Sequence, residues 1–379
     1  MTERLHVLVV QPFAERNGGS ELWLLHLLDA TDALDVEVLL LKDGPLRQEL
    51  LVRGIPVELR EVGHQPWHLV APAIALRRRL RRSQPDVVLS NTVKAQLLAA
   101  PVARNTRTPT VWAKHDHSYD RSLARALGRW STRVVAGAEE VAEATRRPDA
   151  VIIPPPRPTT PPAPRETAIK HLRSIGVPVG RPAEPTLVIA GRIVPFKGVE
   201  DAVRALALPA AAAWRLVVAG TDDHSSPGEV DRLRAIARQS GVAGRVHFAG
   251  HIDDLPRWMA AFDALAVLTR RGGRREPARE GFGGTAFEAM LAGVPVIAVE
   301  GSAVVRRLHG RAGLAVPPAN PRAVAAALAA LHEPAVRDAA GAAGRAITAN
   351  HPDAEQCAAL LVEVLTNAAR ARPTRGAAR

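Results

Sequence analysis

The chain has 379 residues, 47% of them hydrophobic and 23% charged, and this balance is typical of a folded globular protein. Its single cysteine, Cys357, excludes an internal disulfide and a metal site built from several cysteines. The formal net charge of +12 favours anionic partners such as nucleotides, phosphates, acidic lipids or nucleic acid, although a basic surface without any partner explains it as well.

The N-terminal half alternates short apolar runs with helix-like segments. Residues Leu5 to Val10 are an uninterrupted apolar run, as expected of a strand buried on both faces. A helix is predicted from Ser20 to Ala30. Such alternation predicts a parallel sheet with helices on both sides. The further strands are predicted at 36–41, 57–59, 87–89, 110–113, 134–136 and 151–153.

Seven prolines lie between residues 154 and 164, and they predict a semi-rigid linker at a domain boundary. Residues 1–160 and 161–352 are therefore expected to form two doubly wound, Rossmann-like α/β domains, with a ligand cleft between the carboxyl ends of their strands. Residues 353–379 are predicted to form a C-terminal helix that packs toward the N-terminal domain, and a basic tail. Strands of the second domain are predicted at 186–190, 216–219, 246–249, 264–268 and 295–299.

No uncharged apolar run approaches the ~18 residues that a transmembrane helix needs, and the first residues lack a signal-peptide pattern. We expect a cytoplasmic protein. A helix over residues 69–82 carries leucines on one face and arginines on the other, which suggests peripheral contact with the inner face of a membrane. The alternative is a surface helix whose apolar face packs on the sheet.

A carboxylate precedes a glycine-rich turn and a helix at residues 280–293. Glu280 is followed by Gly281, Phe282, Gly283 and Gly284, and a helix is predicted to begin near Thr285. Glycine lets the backbone approach a ligand closely, and the unpaired N–H groups of a helix start attract anions. The spacing Thr285-x-x-Glu288 is also a capping box, which any helix can carry.

Two cations, Arg192 and Lys197, follow the predicted strand 186–190 and precede a helix. Cations fixed at such a turn are well placed to neutralise a diphosphate, since arginine can span two oxygens and lysine acts as a point charge. Isolated cations at this spacing are more often plain surface charges.

Two further strand ends carry polar groups. Gly18 and Gly19 precede the first helix and offer backbone donors to an anion. His115 and His117 follow the strand 110–113, and the spacing does not decide between them. A metal site at these histidines lacks further ligands at a suitable spacing.

The Glu280 to Glu288 spacing around a Gly-Phe-Gly turn resembles the E-x7-E signature of the retaining GT-B glycosyltransferases, the family 4-like or group 1 glycosyltransferases. The segment with Arg192 and Lys197 resembles the family's GR…KG motif. The resemblance implies a nucleotide-diphosphate sugar as donor substrate, a hydroxyl-bearing acceptor, and no metal or other cofactor. It implies catalytic roles for Glu280, Arg192, Lys197 and His115, and donor binding by Gly18, Gly19, Gly220, Ile252, Gly281, Phe282, Gly283, Gly284 and Glu288.

We therefore expect a retaining hexosyltransferase that uses a UDP- or GDP-sugar and transfers to a small molecule, a glycan or a lipid-linked glycan. The alternatives are a nucleotide-sugar epimerase or phosphorylase of the same fold, a non-catalytic nucleotide-sugar binder, and a nucleic-acid binder suggested by charge alone. Residues 270–279 depart from the family pattern with five arginines. This insertion is predicted to capture an anionic acceptor, or else to be an inert surface loop.

Overall fold

A computed structural model of the chain describes residues 4–14, 19–62, 66–181, 183–223, 226–270 and 280–371. The chain forms two compact units. Unit 1 comprises Met1–Arg157 and Pro352–Arg379, and unit 2 comprises Pro158–His351. The chain thus leaves unit 1 within the proline-rich segment and returns to it for the last helix.

The strands are β1 (Leu5–Gln11), β2 (Leu34–Leu40), β3 (Val57–Leu59), β4 (Val87–Asn91), β5 (Thr110–Lys114), β6 (Arg133–Ala136), β7 (Val151–Ile152), β8 (Thr186–Ala190), β9 (Arg215–Ala219), β10 (Val246–Gly250), β11 (Ala264–Val267), β12 (Val296–Val299) and β13 (Gly313–Val316). The helices are α1 (Gly19–Asp29), α2 (Pro45–Val52), α3 (Val70–Ser83), α4 (Val93–Thr106), α5 (Ala124–Trp130), α6 (Glu139–Glu143), α7 (Arg165–Ser174), α8 (Val199–Leu206), α9 (Glu229–Gln239), α10 (Leu255–Trp258), α11 (Gly284–Ala292), α12 (Ala303–Arg307), α13 (Pro321–Ala330), α14 (Pro334–Thr348) and α15 (Ala354–Arg370).

Unit 1 is built on a parallel sheet with the strand order β3-β2-β1-β4-β5-β6-β7. Alternate residues of β1 enter different layers: Val7 and Val9 pack with α1 and α15, whereas Leu8 and Val10 pack with α3 and α4. The central strands are therefore apolar along their whole length, as the sequence predicts. The order reverses between β1 and β4, which lie side by side although they are not consecutive.

Unit 2 repeats this plan with the order β10-β9-β8-β11-β12-β13 in a second parallel sheet. Leu187 and Ile189 of β8 face one core layer, and Val188 faces the other. The order reverses between β8 and β11. The predicted class of two Rossmann-like α/β domains is confirmed, while strand β13 was not predicted because its sequence, Gly-Leu-Ala-Val, is short and follows a glycine-rich turn.

The last helix, α15, packs on the sheet of unit 1. Asp353 and Gln356 form a capping box at its start, and this pair fixes where the helix begins. Cys357, Leu361 and Leu365 are buried in the same layer as Val7 and Val9. The lone cysteine is therefore a core residue.

The basic helix α3 is attached to the sheet by the face that was a candidate for membrane contact. Leu76 and Leu80 are buried, and Arg79 turns inward to form an ion pair with the buried Glu37 of β2. The leucine face is therefore not available to a lipid surface, because it covers the core. Within the described ranges, no helix has the length and hydropathy needed to cross a bilayer.

Candidate functional site

The carboxyl ends of β8 and β11 bring two loop segments together in unit 2. Doubly wound sheets bind ligands where the strand order reverses, and here that position lies between these strands. Residues 191–198 follow β8, and residues 268–270 follow β11. The two segments touch, since the Arg270 amide donates to the Phe196 carbonyl at 2.6 Å.

Lys197 and Glu280 form an ion pair at this position. The Lys197 Nζ lies 2.9 Å from each carboxylate oxygen of Glu280, and the Thr269 hydroxyl donates to Oε2 at 2.9 Å. The two charged side chains are only 23% and 17% exposed. Burial raises the pKa of Glu280, but the charge of Lys197 and the hydrogen bonds from Lys197 and Thr269 outweigh it, so the pKa is lowered overall. Glu280 is therefore an oriented, ionised carboxylate at neutral pH.

Arg192, the second cation of the motif, extends into solvent from the same segment. Its side chain is 65% exposed, and Nη1 donates to Asp223 Oδ2 at 2.9 Å. The charge of Arg192 also helps to lower the pKa of Glu280, so both cations of the motif act on the same carboxylate. Each of the two predicted diphosphate ligands is thus paired with a carboxylate.

The turn after β9 packs directly against residues 191–198. A Cβ at Gly220 would lie 1.9 Å from the Gly191 carbonyl oxygen, so only glycine fits at this position. Asp222, two residues on, accepts two backbone N–H groups at the start of α9, which makes it a structural residue. Ile252 is 5% exposed and its side chain belongs to the core, so it presents no side-chain surface to a ligand.

The glycine turn before α11 ends in a left-handed residue. Gly283 is the N-cap with φ of 77°, and a Cβ there would lie 2.4 Å from Val304 Cγ2. The predicted capping box of Thr285 and Glu288 is wrong: the helix begins at Gly284, and no side chain caps it within the described part of the chain. The first backbone N–H groups of α11 therefore lack a side-chain acceptor, which suits an anionic ligand.

Arg307 of α12 supports this turn and was not predicted. Its guanidinium carbon lies 4.0 Å from the centre of the Phe282 ring, and Nη1 donates to the Phe282 carbonyl. Burial lowers the pKa of Arg307 to about 10, so the side chain stays charged at neutral pH. Phe282 also packs against Phe287 and His351, with ring centroids 5.8 and 5.6 Å away. A partly buried cation and three rings thus fix the backbone of the turn.

Glu288 lies on α11 with a partly buried carboxyl group. It has no hydrogen-bond or ion-pair partner among the described residues, and burial raises its pKa to about 7. A polar group withheld from water and left without a partner destabilises the folded chain. A carboxyl group kept in such surroundings is a candidate for contact with a ligand.

We expect Glu288→Gln to stabilise the protein more at pH 8 than at pH 5. The pKa of this carboxyl is higher in the folded chain than its ordinary value of 4.5, so wild-type stability falls as pH rises from 4.5 to about 7 and stays low above that. The full difference is on the order of 3 kcal/mol. Melting curves at both pH values measure it, with the exposed Glu363→Gln of α15 as the control. An equal shift at both pH values would contradict the expectation.

Unit 1 has a corresponding polar cluster where its strand order reverses. Gln11 ends β1, Asn91 ends β4, and His115 directly follows β5. The Asn91 Nδ2 lies 2.6 Å from Gln11 Oε1, and the His115 Nε2 lies 2.6 Å from Asn91 Oδ1. Trp23 and the imidazole pack in a T-shaped arrangement, with 4.9 Å between ring centroids. Burial lowers the pKa of His115 to about 4, so the ring is neutral at physiological pH.

The structure separates the two histidines that the spacing left open. His117 is 6% exposed and its Nδ1 lies 2.8 Å from Asp120, which also accepts from the buried Lys114 at 2.6 Å. Lys114 additionally donates to the Asp116 carbonyl. His117 thus belongs to a buried ionic cluster that shapes the turn after β5, whereas His115 joins the cluster with Asn91.

Two predicted features fall partly outside the described residues. Gly18 lies there, while Gly19 is the first residue of α1. Of the arginine-rich insertion, residues 271–279 lie outside, and Arg270 is described. Its guanidinium forms a bidentate pair with the buried Asp201 of α8, with Nε 2.8 Å from Oδ2. Arg270 therefore anchors the start of the insertion and is not a free cation for an acceptor.

No metal cluster is evident in the described ranges, where no group of three or more His, Cys, Asp or Glu side chains is arranged to hold an ion. Sequence reasoning missed Thr269, Arg307, Gln11 and Asn91. Only Gln11 and Asn91 carried a signal: each is a polar residue at the end of a mostly apolar strand, and the two strands are neighbours at the reversal of strand order.

Two family models match the chain. The model described as Glycosyltransferase Family 4 matches residues 17–160, and the one described as Glycosyl transferases group 1 matches residues 184–333. Together the matched stretches cover well over half of the chain.

Two curated relatives share the name D-inositol 3-phosphate glycosyltransferase. The protein of Jonesia denitrificans is 36% identical over 155 residues, which are 39% of this chain and 34% of the relative. That of Acidothermus cellulolyticus is 27% identical over 350 residues, which are 81% of this chain and 76% of the relative. The matched part thus spans about a third of the first relative's length and three quarters of the second's.

Among solved structures, the chain is similar to Anabaena HepE in complex with UDP and glucose, with a TM-score of 0.80 and 22% identity. The similarity covers 96% of this chain and 100% of that one, and it confirms the GT-B fold. Arg192, Lys197, Glu280 and Glu288 all lie within the stretch that the group 1 model matches. The chain belongs to the group 1 glycosyltransferases, with an N-terminal half of the family 4 type.

Proposed function

We propose that the protein is a retaining, metal-independent glycosyltransferase that moves a hexose from a UDP- or GDP-sugar to an acceptor hydroxyl. The observation that carries this proposal is the shielded pair of Lys197 and Glu280 at the reversal of strand order in unit 2. It puts a cation suited to a diphosphate beside a carboxylate suited to sugar hydroxyls. The names of the relatives and the ligands of HepE are consistent with a nucleotide sugar.

Binding of the diphosphate would rearrange the charges of the site. Lys197 and Arg192 would exchange their carboxylate partners for phosphate oxygens, and the free N–H groups at the start of α11 would add donors. As the bond to the sugar breaks, negative charge grows on the leaving diphosphate, and these groups stabilise it where it forms. Glu280, released from Lys197, would accept hydrogen bonds from the sugar hydroxyls.

Glu288 is assigned to the ribose hydroxyls of the donor. Its carboxyl lies four residues into the helix that follows the glycine turn, and it lacks a protein partner in the described part of the chain. Two vicinal hydroxyls would supply the hydrogen bonds that it lacks, and would favour its ionised form. We assign His115 of unit 1, a neutral imidazole, to a hydroxyl of the substrate. Unit 2 then binds the donor and unit 1 the acceptor.

The class of acceptor is inferred from the names of the relatives and from the charge of this chain. The two curated relatives described above are named for inositol 3-phosphate, a polyol that bears a phosphate. This chain is strongly basic, which suits an anionic acceptor. We therefore place phosphorylated polyols first, ahead of neutral glycans and lipid-linked glycans.

Turnover of UDP-glucose and GDP-mannose with a panel of hydroxyl acceptors, including inositol 3-phosphate, tests the proposed function. With EDTA present throughout, we expect one donor to release its nucleoside diphosphate only when an acceptor is added. Loss of activity in EDTA that Mg²⁺ restores would contradict the metal-independent reaction.

The same assay separates the alternative activities. Conversion of the donor to an epimer without acceptor would indicate an epimerase, and sugar 1-phosphate formed from inorganic phosphate would indicate a phosphorylase. Saturable donor binding with no turnover in any mixture would indicate a binding protein.

The leucine face of α3 is buried, so peripheral membrane contact would have to involve another surface. Helices α3, α4 and α5 pack side by side on unit 1 and contain no Asp or Glu, although they carry several exposed arginines. Val70, Ile74 and Trp130 are exposed on α3 and α5. We assign this outer surface to anionic lipid headgroups. Co-sedimentation with phosphatidylglycerol vesicles but not phosphatidylcholine vesicles is expected, and binding of duplex nucleic acid instead would contradict it.

A further inference from the structure

Two buried amides, Gln11 and Asn91, connect His115 to the segment that joins β1 and α1. Both amide side chains are 0% exposed, and they come from neighbouring strands. Their mutual hydrogen bond of 2.6 Å joins residues 80 positions apart in the chain. Fully buried amides need all their hydrogen bonds satisfied, so the partners of this pair define its orientation.

The direction of each hydrogen bond follows from the donors available. The Asn91 Nδ2 donates to Gln11 Oε1 and, at 3.0 Å, to the Ser20 carbonyl, so it uses both of its hydrogens. The Asn91 Oδ1 is then an acceptor, and the His115 Nε2, 2.6 Å away, carries the proton that it receives. The other nitrogen, Nδ1, is left with a lone pair and has no partner within the described part of the chain.

The same amides hold the backbone on both sides of the glycine loop. Gln11 donates to the Phe13 carbonyl at 2.9 Å, and Asn91 donates to the Ser20 carbonyl. Phe13 and Ser20 are described residues that precede and follow the loop. One side chain, Asn91, therefore fixes both the imidazole and the start of α1.

We propose that Asn91 is a positioning residue: it holds His115 in the tautomer whose Nδ1 accepts a hydrogen bond from a substrate hydroxyl. This rests on the proposed glycosyl transfer, in which His115 contacts a substrate. Asn91 itself does not touch the substrate, because it is buried beneath the imidazole. Trp23 packs against the ring from α1 and prevents it from turning to another partner.

The charged groups near His115 leave this tautomer undisturbed at neutral pH. Asp116 favours the imidazolium and Lys114 opposes it, both from the same segment as the histidine. Among the described residues, β4 and α1 present the neutral Asn91 and Trp23 to the ring. A carboxylate at position 91 would change this balance and favour the imidazolium.

The test compares Asn91→Asp with Asn91→Leu in the full-length protein. Asn91→Asp keeps an acceptor for Nε2 but cannot donate to Gln11 and Ser20, so its turnover should be lowered even at high pH. Because the carboxylate also favours the imidazolium, turnover of this variant should fall a further tenfold or so from its own high-pH value toward pH 6. Asn91→Leu should lower kcat about 10²-fold at every pH, because the imidazole loses its orientation. Donor KM should change little in both. Gln96→Leu, which removes another fully buried amide of unit 1 bound to Ser131, is the control for packing.

Nitrogen NMR shifts of His115 give a readout that does not depend on activity. We expect the Nε2–H tautomer in the wild type and in Gln96→Leu, a mixed or altered state in Asn91→Leu, and a raised histidine pKa in Asn91→Asp. An Nδ1–H tautomer in the wild type would overturn the proposal. So would an Asn91→Asp enzyme whose pH profile matches that of the wild type. If the His115 tautomer is as stated but no donor is turned over, the result contradicts the proposed glycosyl transfer and leaves the assignment of the tautomer intact.

Discussion

Lys197→Ala should lower kcat/KM by roughly 10²–10³, the usual effect of losing one charge-stabilising group at a site where charge develops. The variant should also be less stable by on the order of 1–3 kcal/mol, because Glu280 would keep its negative charge in a shielded position, with Thr269 as its remaining hydrogen-bond partner among the described residues. Steady-state kinetics and melting curves measure the two effects. Both arise from one contact, since the lysine that would bind the diphosphate is the partner of Glu280.

The matched control is Lys170→Ala, which removes an exposed lysine of α7 in the same unit. It should leave both kinetics and melting temperature nearly unchanged. A Lys197→Ala variant that turns over like the wild type would remove this residue from the reaction. Equal losses in the two variants would show that general basicity, and not the position of Lys197, supports activity.

Glu280→Gln should lower turnover by roughly 10²–10³ while the affinity for free nucleoside diphosphate stays the same or rises. Glutamine has nearly the shape of glutamate but lacks the charge that binds Lys197. The lysine is then freer to meet the diphosphate, whereas the sugar hydroxyls lose a charged acceptor. Calorimetric titration with UDP and GDP, together with kinetics, separates binding from turnover.

A control for this change is Glu229→Gln, which alters a buried glutamate of unit 2 that pairs with Arg232 instead of Lys197. It should affect stability alone. Weaker diphosphate binding in Glu280→Gln would contradict the assigned roles, because it would mean that Glu280 holds the diphosphate site together. Glu288→Ala, by comparison, should weaken diphosphate affinity.

The parts of the site that sequence reasoning found are local ones. Strand β8 begins and ends where predicted. Arg192 and Lys197 lie in the loop that follows it, so a short stretch of sequence was enough to place them. Glu280 and the glycine turn were likewise found because glycines before a helix are a local pattern. The fold class followed from the alternation of apolar and helical segments.

What the sequence did not reveal depends on packing between distant segments. The capping box at Thr285 was wrong because close contact with Val304 requires glycine at 283, and this places the N-cap two residues before Thr285. The cation of Arg307 meets Phe282 only in the folded unit. Asn91 and His115, 24 positions apart, are brought together by the order of the strands.

The anomeric configuration of the product tests the central proposal most directly. The protein would be incubated with an α-linked nucleotide sugar and the acceptor that supports release of nucleoside diphosphate, and the new linkage would be determined by NMR from the coupling of the anomeric proton. We predict an α-linked product, formed by the wild type and lost with Lys197→Ala and Glu280→Gln. A β-linked product would contradict the retaining reaction, and an α-linked product from both variants at the wild-type rate would contradict the assignment of the site.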